Sequence, residues 1–70
     1  MMHFLFSTEI VSSFENDVDI HVEFKDVLVA AADYEKAVET LEYICNYRNE
    51  YKYSQLATYN YIGCYENDEY

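Results

Sequence analysis

The stretch VDIHVEFKDVLV, residues 18–29, decides the fold of this chain. Val18, Ile20, Val22 and Phe24 alternate with Asp19, His21, Glu23 and Lys25. A period of two puts the first set on one face of an extended strand and the second on the other, one face apolar and one wet. At Lys25-Asp26 the phase breaks, and Val27, Leu28 and Val29 run on without alternation. A bulge at that point would let one long strand continue while re-aiming its side chains. Upstream, His3 to Phe14 carries Phe4, Phe6, Ile10 and Val11 among Ser and Thr, which predicts a first strand. Glu15-Asn16-Asp17 reads as the turn between the two, because Asn and Asp tolerate turn geometry.

Downstream the period changes. Asp33 follows three alanines and is an N-cap candidate, its carboxylate able to accept from an orphan backbone N–H. Ala37, Val38, Leu41, Ile44 and Cys45 then fall at i, i+1, i+4, i+7 and i+8, a helical apolar stripe that Tyr34 extends backwards. Arg48 is expected in the last turn, where a cation suits the helix dipole. After Asn49-Glu50, Tyr51, Tyr53, Tyr59, Tyr61 and Tyr65 occupy odd positions, and Leu56, Ile62 and Cys64 even ones. A third strand, near Gln55 to Tyr65 and with room for an irregularity, follows. Tyr59, Tyr61 and Tyr65 are read either as the core face of that strand or as a contact surface on an uncovered sheet face.

The expected fold is α+β, in the order ββαβ. It is a three-stranded antiparallel sheet of order 2-1-3 with one helix on one face. Residues 1–65 form the single domain, and 66–70 a polar, frayed C-terminal tail.

Composition bounds the function. The chain has 70 residues, 14 acids against 4 lysine and arginine residues, a net charge of −10, nine tyrosines and 51% hydrophobic residues. Acidic disordered chains are poor in aromatics; this one is 19% aromatic and is expected to fold. Its charge repels nucleic acid and anionic membranes. No apolar run approaches the roughly 18 residues of a membrane span, and Met1 to Phe6 lacks the basic flank of a signal peptide. A soluble, cytoplasmic protein is expected.

No enzyme is expected, and no cofactor or metal. No Ser, Cys or Lys has a nucleophile context, and one glycine makes no phosphate-cradling loop. His3, His21, Cys45 and Cys64 are scattered without the spacing of a zinc site. The two cysteines are read as free core thiols, with a single bridge as the alternative. His21, beside Asp19 and Glu23, is a solvated strand residue or a pH-responsive one.

The carboxylates are organised. Glu35, Glu39 and Glu42 stand at i, i+4 and i+7 on the outer side of the helix, with Cβ separations of roughly 5–6 Å. Asp17, Asp19 and Glu23 are expected on one face of the second strand at steps of roughly 6.7 Å or its double. Duplex DNA carries one phosphate per roughly 3.4 Å of axis per strand, so such rows approximate a phosphate row. A solvated face that keeps the protein dissolved is the alternative, although solubility needs a net charge of only about 2–8. Tyr43 and Tyr47, read as i, i+4 on the helix, add the rigid, polar-tipped contact area favoured in interfaces.

A small, acidic, tyrosine-rich single domain resembles the phage-encoded anti-defence inhibitors, the anti-CRISPR and anti-restriction proteins of the DNA-mimic type. The resemblance lies in composition across the whole chain and transfers no residue by position. It implies a stoichiometric, non-enzymatic blocker of a nucleic-acid-binding effector, acting in the cytoplasm of a host cell if phage-encoded. The partner is then a basic protein, met by Glu35, Glu39, Glu42, Tyr43 and Tyr47, with Asp19 and Glu23 behind them. The alternative is a structural or oligomerisation module, a homodimer included, that binds through its tyrosine-rich sheet face or edge.

Overall fold

The computed structural model describes residues 2–66. Five elements follow in order: β1 (Met2–Phe14), β2 (His21–Ala31), α1 (Tyr34–Cys45), β3 (Tyr47–Arg48) and β4 (Lys52–Glu66). The α+β class and the antiparallel pairing are as expected, but the sheet has four strands in the order β2-β1-β4-β3, not three. The three long strands keep the expected neighbours, with the post-helix strand beside β1. The extra strand is two residues long, too short to show any period.

Its hairpin is built by Asn49. The Asn49 side-chain oxygen accepts from the backbone N–H of Tyr51 at 2.7 Å and of Lys52 at 2.8 Å, and its amide donates to the Tyr47 hydroxyl at 2.7 Å. This Asx-type turn sends the chain straight back along β4. Where β3 pairing stops, the Asn46 side chain takes over and accepts from Leu56 N–H at 2.8 Å. Asn46 is also where α1 ends, in extended conformation, so Tyr47 and Arg48 leave the helix for the sheet edge. The expected last-turn Arg48 and the Tyr43–Tyr47 helical pair are therefore overturned. At the other end of the helix Asp33 caps as expected, accepting from Lys36 N–H at 2.8 Å.

In β1 every even residue from Phe4 to Ser12 is buried beneath the helix side of the sheet. Two of these are polar and both are satisfied. Thr8 donates to the Lys25 carbonyl at 2.7 Å, and the Ser12 and Ser54 hydroxyls lie 2.9 Å apart. Phe4, Phe6, Ile10, Val29, Ala31, Ala37, Leu41 and Cys45 form the core. The helical stripe is narrower than its sequence suggests, for Ile44 is 53% exposed while Leu41 is fully buried.

β2 departs from expectation twice. It begins at His21, not Val18, because Asp17 holds the preceding turn: its carboxylate accepts from Asp19 N–H at 3.0 Å and meets His21 Nε2 at 2.8 Å. There is also no bulge at Lys25-Asp26, since the β1–β2 register runs unbroken from Met2↔Ala31 to Ser12↔His21. Opposed residues share a face, so Val27 and Val29 lie with Phe6 and Phe4 on the helix side, and Val22, Phe24 and Leu28 on the other. The sequence changes phase while the strand stays regular. What changes is whether the helix side has cover.

The bulges sit in β4. Its register against β1 shifts between Leu5 and Phe6 and between Glu9 and Ile10, leaving Ile62 and Ala57 as the extra residues. These two insertions bring Leu56, Tyr59, Tyr61 and Cys64 to the helix side, opposite Ile10, Thr8, Phe6 and Phe4. Tyr59 packs edge-on to Phe6 with centroids 5.7 Å apart, and Tyr61 meets Tyr34 edge-on at 5.3 Å. Tyr65 stands opposite His3 on the helix-free face. The tyrosines thus divide: Tyr59 packs against the core, Tyr61 stays 48% exposed on the helix side, and Tyr65 faces out on the other. Glu66 closes β4, and the rest of the expected tail, residues 67–70, lies outside the described residues, as does Met1.

The stripe residues give a direct check. Leu41→Ala is expected to lower unfolding stability by about 2–5 kcal/mol, because it leaves a cavity. Ile44→Ala should stay within about 1 kcal/mol of the parent, since its side chain is already half in water. Urea unfolding followed by circular dichroism measures both.

Candidate functional site

The helix carries the first surface. Its inner face is set by Ala37, Leu41 and Cys45, four residues apart, and these fix the outer face on the opposite side. Glu35, Glu39, Glu42 and Tyr43 all stand exposed there, and Tyr43 is 84% exposed. Lys36 shares that face and reaches Glu39 at 3.7 Å, both side chains mostly in water. A pair so exposed neutralises little.

The remaining expected residues do not join this row. Asp19 belongs to the turn before β2, with Asp17, rather than to the strand face. Glu23 is in β2 and opposes Ile10, on the helix side of the sheet. Tyr47 is on β3. Glu23 and Tyr47 do come together, in a cleft of about 320 Å³ at the C-terminal end of α1. Lys25 and Lys52 line the same cleft, and Arg48 lines the adjoining one with Tyr53. Three of the four basic residues are therefore gathered past the end of the helix. The outer helix face keeps its carboxylates with Lys36 alone for company. Cys45 forms part of the cleft wall as a free thiol, and burial pushes its pKa up against the opposing pull of Lys25. Cys64 is also unbridged.

The helix-free face is the second surface, and Val22 and Phe24 of the apolar row that alternation predicts lie on it. Val22 is 50%, Phe24 74% and Leu28 57% exposed, beside Leu5 and Val11 of β1. At one end His3, Leu5, Leu28 and Tyr65 line an open hollow of about 520 Å³. The signal in the sequence is the phase change at Lys25-Asp26, beyond which the helix covers Val29 and Ala31 on the other face.

His21 interacts with Asp17 and packs edge-on to Phe14 at 5.2 Å. Asp17 is held below the usual carboxylate value of 3.8, first by the Asp19 backbone N–H and then by His21. Among the described residues no three of His, Cys, Asp and Glu are grouped as metal ligands, and no helix is long and apolar enough to cross a membrane. No protein-family model, curated protein or solved structure matches the chain.

A depressed pKa means that ionised Asp17 favours the folded state. That contribution is present above the unfolded value and fades as pH falls through the lower folded one. Asp17→Asn should therefore be less stable than the parent near neutral pH. The gap should narrow as pH falls below 3.8, and urea midpoints at neutral and acid pH measure it.

Proposed function

We propose that the chain is a non-enzymatic binding protein that offers the outer face of α1 to the basic groove of a nucleic-acid-binding protein and so keeps nucleic acid out. One observation carries this reading: Glu35, Glu39, Glu42 and Tyr43 are exposed together on a single helix face, while most of the basic residues lie elsewhere. Along a helix, carboxylates about one turn apart recur at roughly 5–6 Å. They present fixed negative charge where a phosphate row would lie, and Tyr43 adds apolar contact with a polar tip. The composition agrees, because −10 exceeds what dissolving a small domain requires. A host defence nuclease is the kind of partner that the compositional resemblance suggests.

The second reading, a module that binds through its sheet, draws on a separate observation. Phe24, Leu28 and Val22 lie bare on the helix-free face. Tyr59 and Tyr61 do not serve it, since both turn toward Phe6 on the core side.

The test is capture of cell-lysate proteins on the immobilised chain. Proteins held by the acidic face should be released by salt, because charges are screened beyond about 8 Å at physiological ionic strength. Duplex DNA added as competitor should displace them too. The triple variant Glu35→Gln, Glu39→Gln, Glu42→Gln should retain less than about a tenth as much. Retention indifferent to salt, to DNA and to the triple substitution would end this reading.

A further inference from the structure

One side of β2 pairs with β1, and among the described residues no strand pairs with the other. The strand is 11 residues long and holds no proline. A long edge with bare apolar side chains is a template for another strand. Proteins commonly blunt such an edge with charge, and Glu23, Lys25 and Asp26 stand here. Their arrangement, however, is self-complementary. Among the described residues the ion pairs within 4.0 Å are His21–Asp17 and Lys36–Glu39, so the side chains of Glu23 and Lys25 form none there.

We propose that β2 pairs antiparallel with β2 of a second copy, about a two-fold axis at Phe24. Such an interface is isologous, with each contact made twice. Directly opposed residues share a face. Glu23 then meets Lys25 of the second copy and Lys25 meets its Glu23, while Phe24 meets Phe24 on the helix-free face. Ile20, 67% exposed, lies just before β2, at the end of this seam.

Three of the four nearest registers are penalised. Moving the axis by one residue opposes Glu23 with Glu23, or Lys25 with Lys25. Moving it two residues toward the C-terminus opposes Asp26 with Asp26. Like charges directly opposed destabilise a strand pair.

The helix points to the same register. It packs over the Val27–Ala31 half of β2, where Val29 and Ala31 are buried, and ends near Glu23 and Lys25. An axis at Phe24 pairs His21 to Val27 of each strand and carries the covered residues 28–31 past the start of the other strand. The two helices then lie on one face of the joined sheet without overlapping. An axis nearer Val29 would force them side by side over the same strands.

The outer face of α1 points away from this seam. The dimer carries two acidic helix faces, and the inference does not rest on what those faces bind.

Light scattering or sedimentation across about 1–200 µM tests it. The parent chain should pass from monomer to dimer. Lys25→Glu and Glu23→Lys should each weaken self-association at least about tenfold. The first makes the chain more acidic and the second less so, which separates the register from net charge. An equimolar mixture of the two variants should form a heterodimer, since both pairs of positions 23 and 25 are then of opposite sign. The double exchange Glu23→Lys, Lys25→Glu should restore the homodimer. Circular dichroism of each variant should match the parent, because both side chains are exposed. A parent chain that stays monomeric, a dimer insensitive to both single exchanges, or a mixture that does not associate would each overturn the proposal.

Discussion

The architecture depends on a mismatch of length. A helix of twelve residues spans about 18 Å, while a strand of fifteen spans about 50 Å. The described residues accordingly form a body of 47 × 21 × 20 Å, long in the strand direction. One helix can roof only part of one face of such a sheet. The core gathers under it, between Phe4 and Ile10, and the sheet runs on past its end. The cleft with Lys25 and Lys52, the bare Phe24 and the turn around Asp17 all lie where the roof has stopped.

The same constraint accounts for the sequence of β2. Its apolar residues fall at odd positions, Val27 and Val29, where the helix covers them, and at even positions, Val22 and Phe24, where nothing does. A regular strand can carry both patterns in succession. In β4 the reverse holds. Its core-facing residues switch parity, from Leu56 to Tyr59 and from Tyr61 to Cys64, and the backbone follows by inserting Ala57 and Ile62. Packing decides between the two solutions. β1 offers a continuous row of buried positions, and β4 must match it residue for residue.

Much was legible from residue chemistry. The helix showed itself through Asp33 and the Ala37–Leu41–Cys45 spacing, since a cap and a four-residue repeat are local signals. The exposure of Glu35, Glu39, Glu42 and Tyr43 followed, because the inner stripe fixes the outer face. The Tyr47 assignment failed because Asn46 stops the helix by binding Leu56, ten residues on, and no local pattern reports that bond. Alternation carried into the Asp17 turn would put Asp19 and Glu23 on one face, but side-chain hydrogen bonds override it there.

The sequence by itself determined the α+β class, the order of the long elements, the acidic helix face and the helix N-cap. Each depends on propensity or periodicity within a short window. Only the tertiary structure decided which sheet residues are covered, where β4 bulges, and that Tyr59 and Tyr61 turn to the helix side while Phe24 stays outside. Those outcomes turn on how far a short helix reaches over a long sheet. That reach is set by contacts between residues distant in the chain.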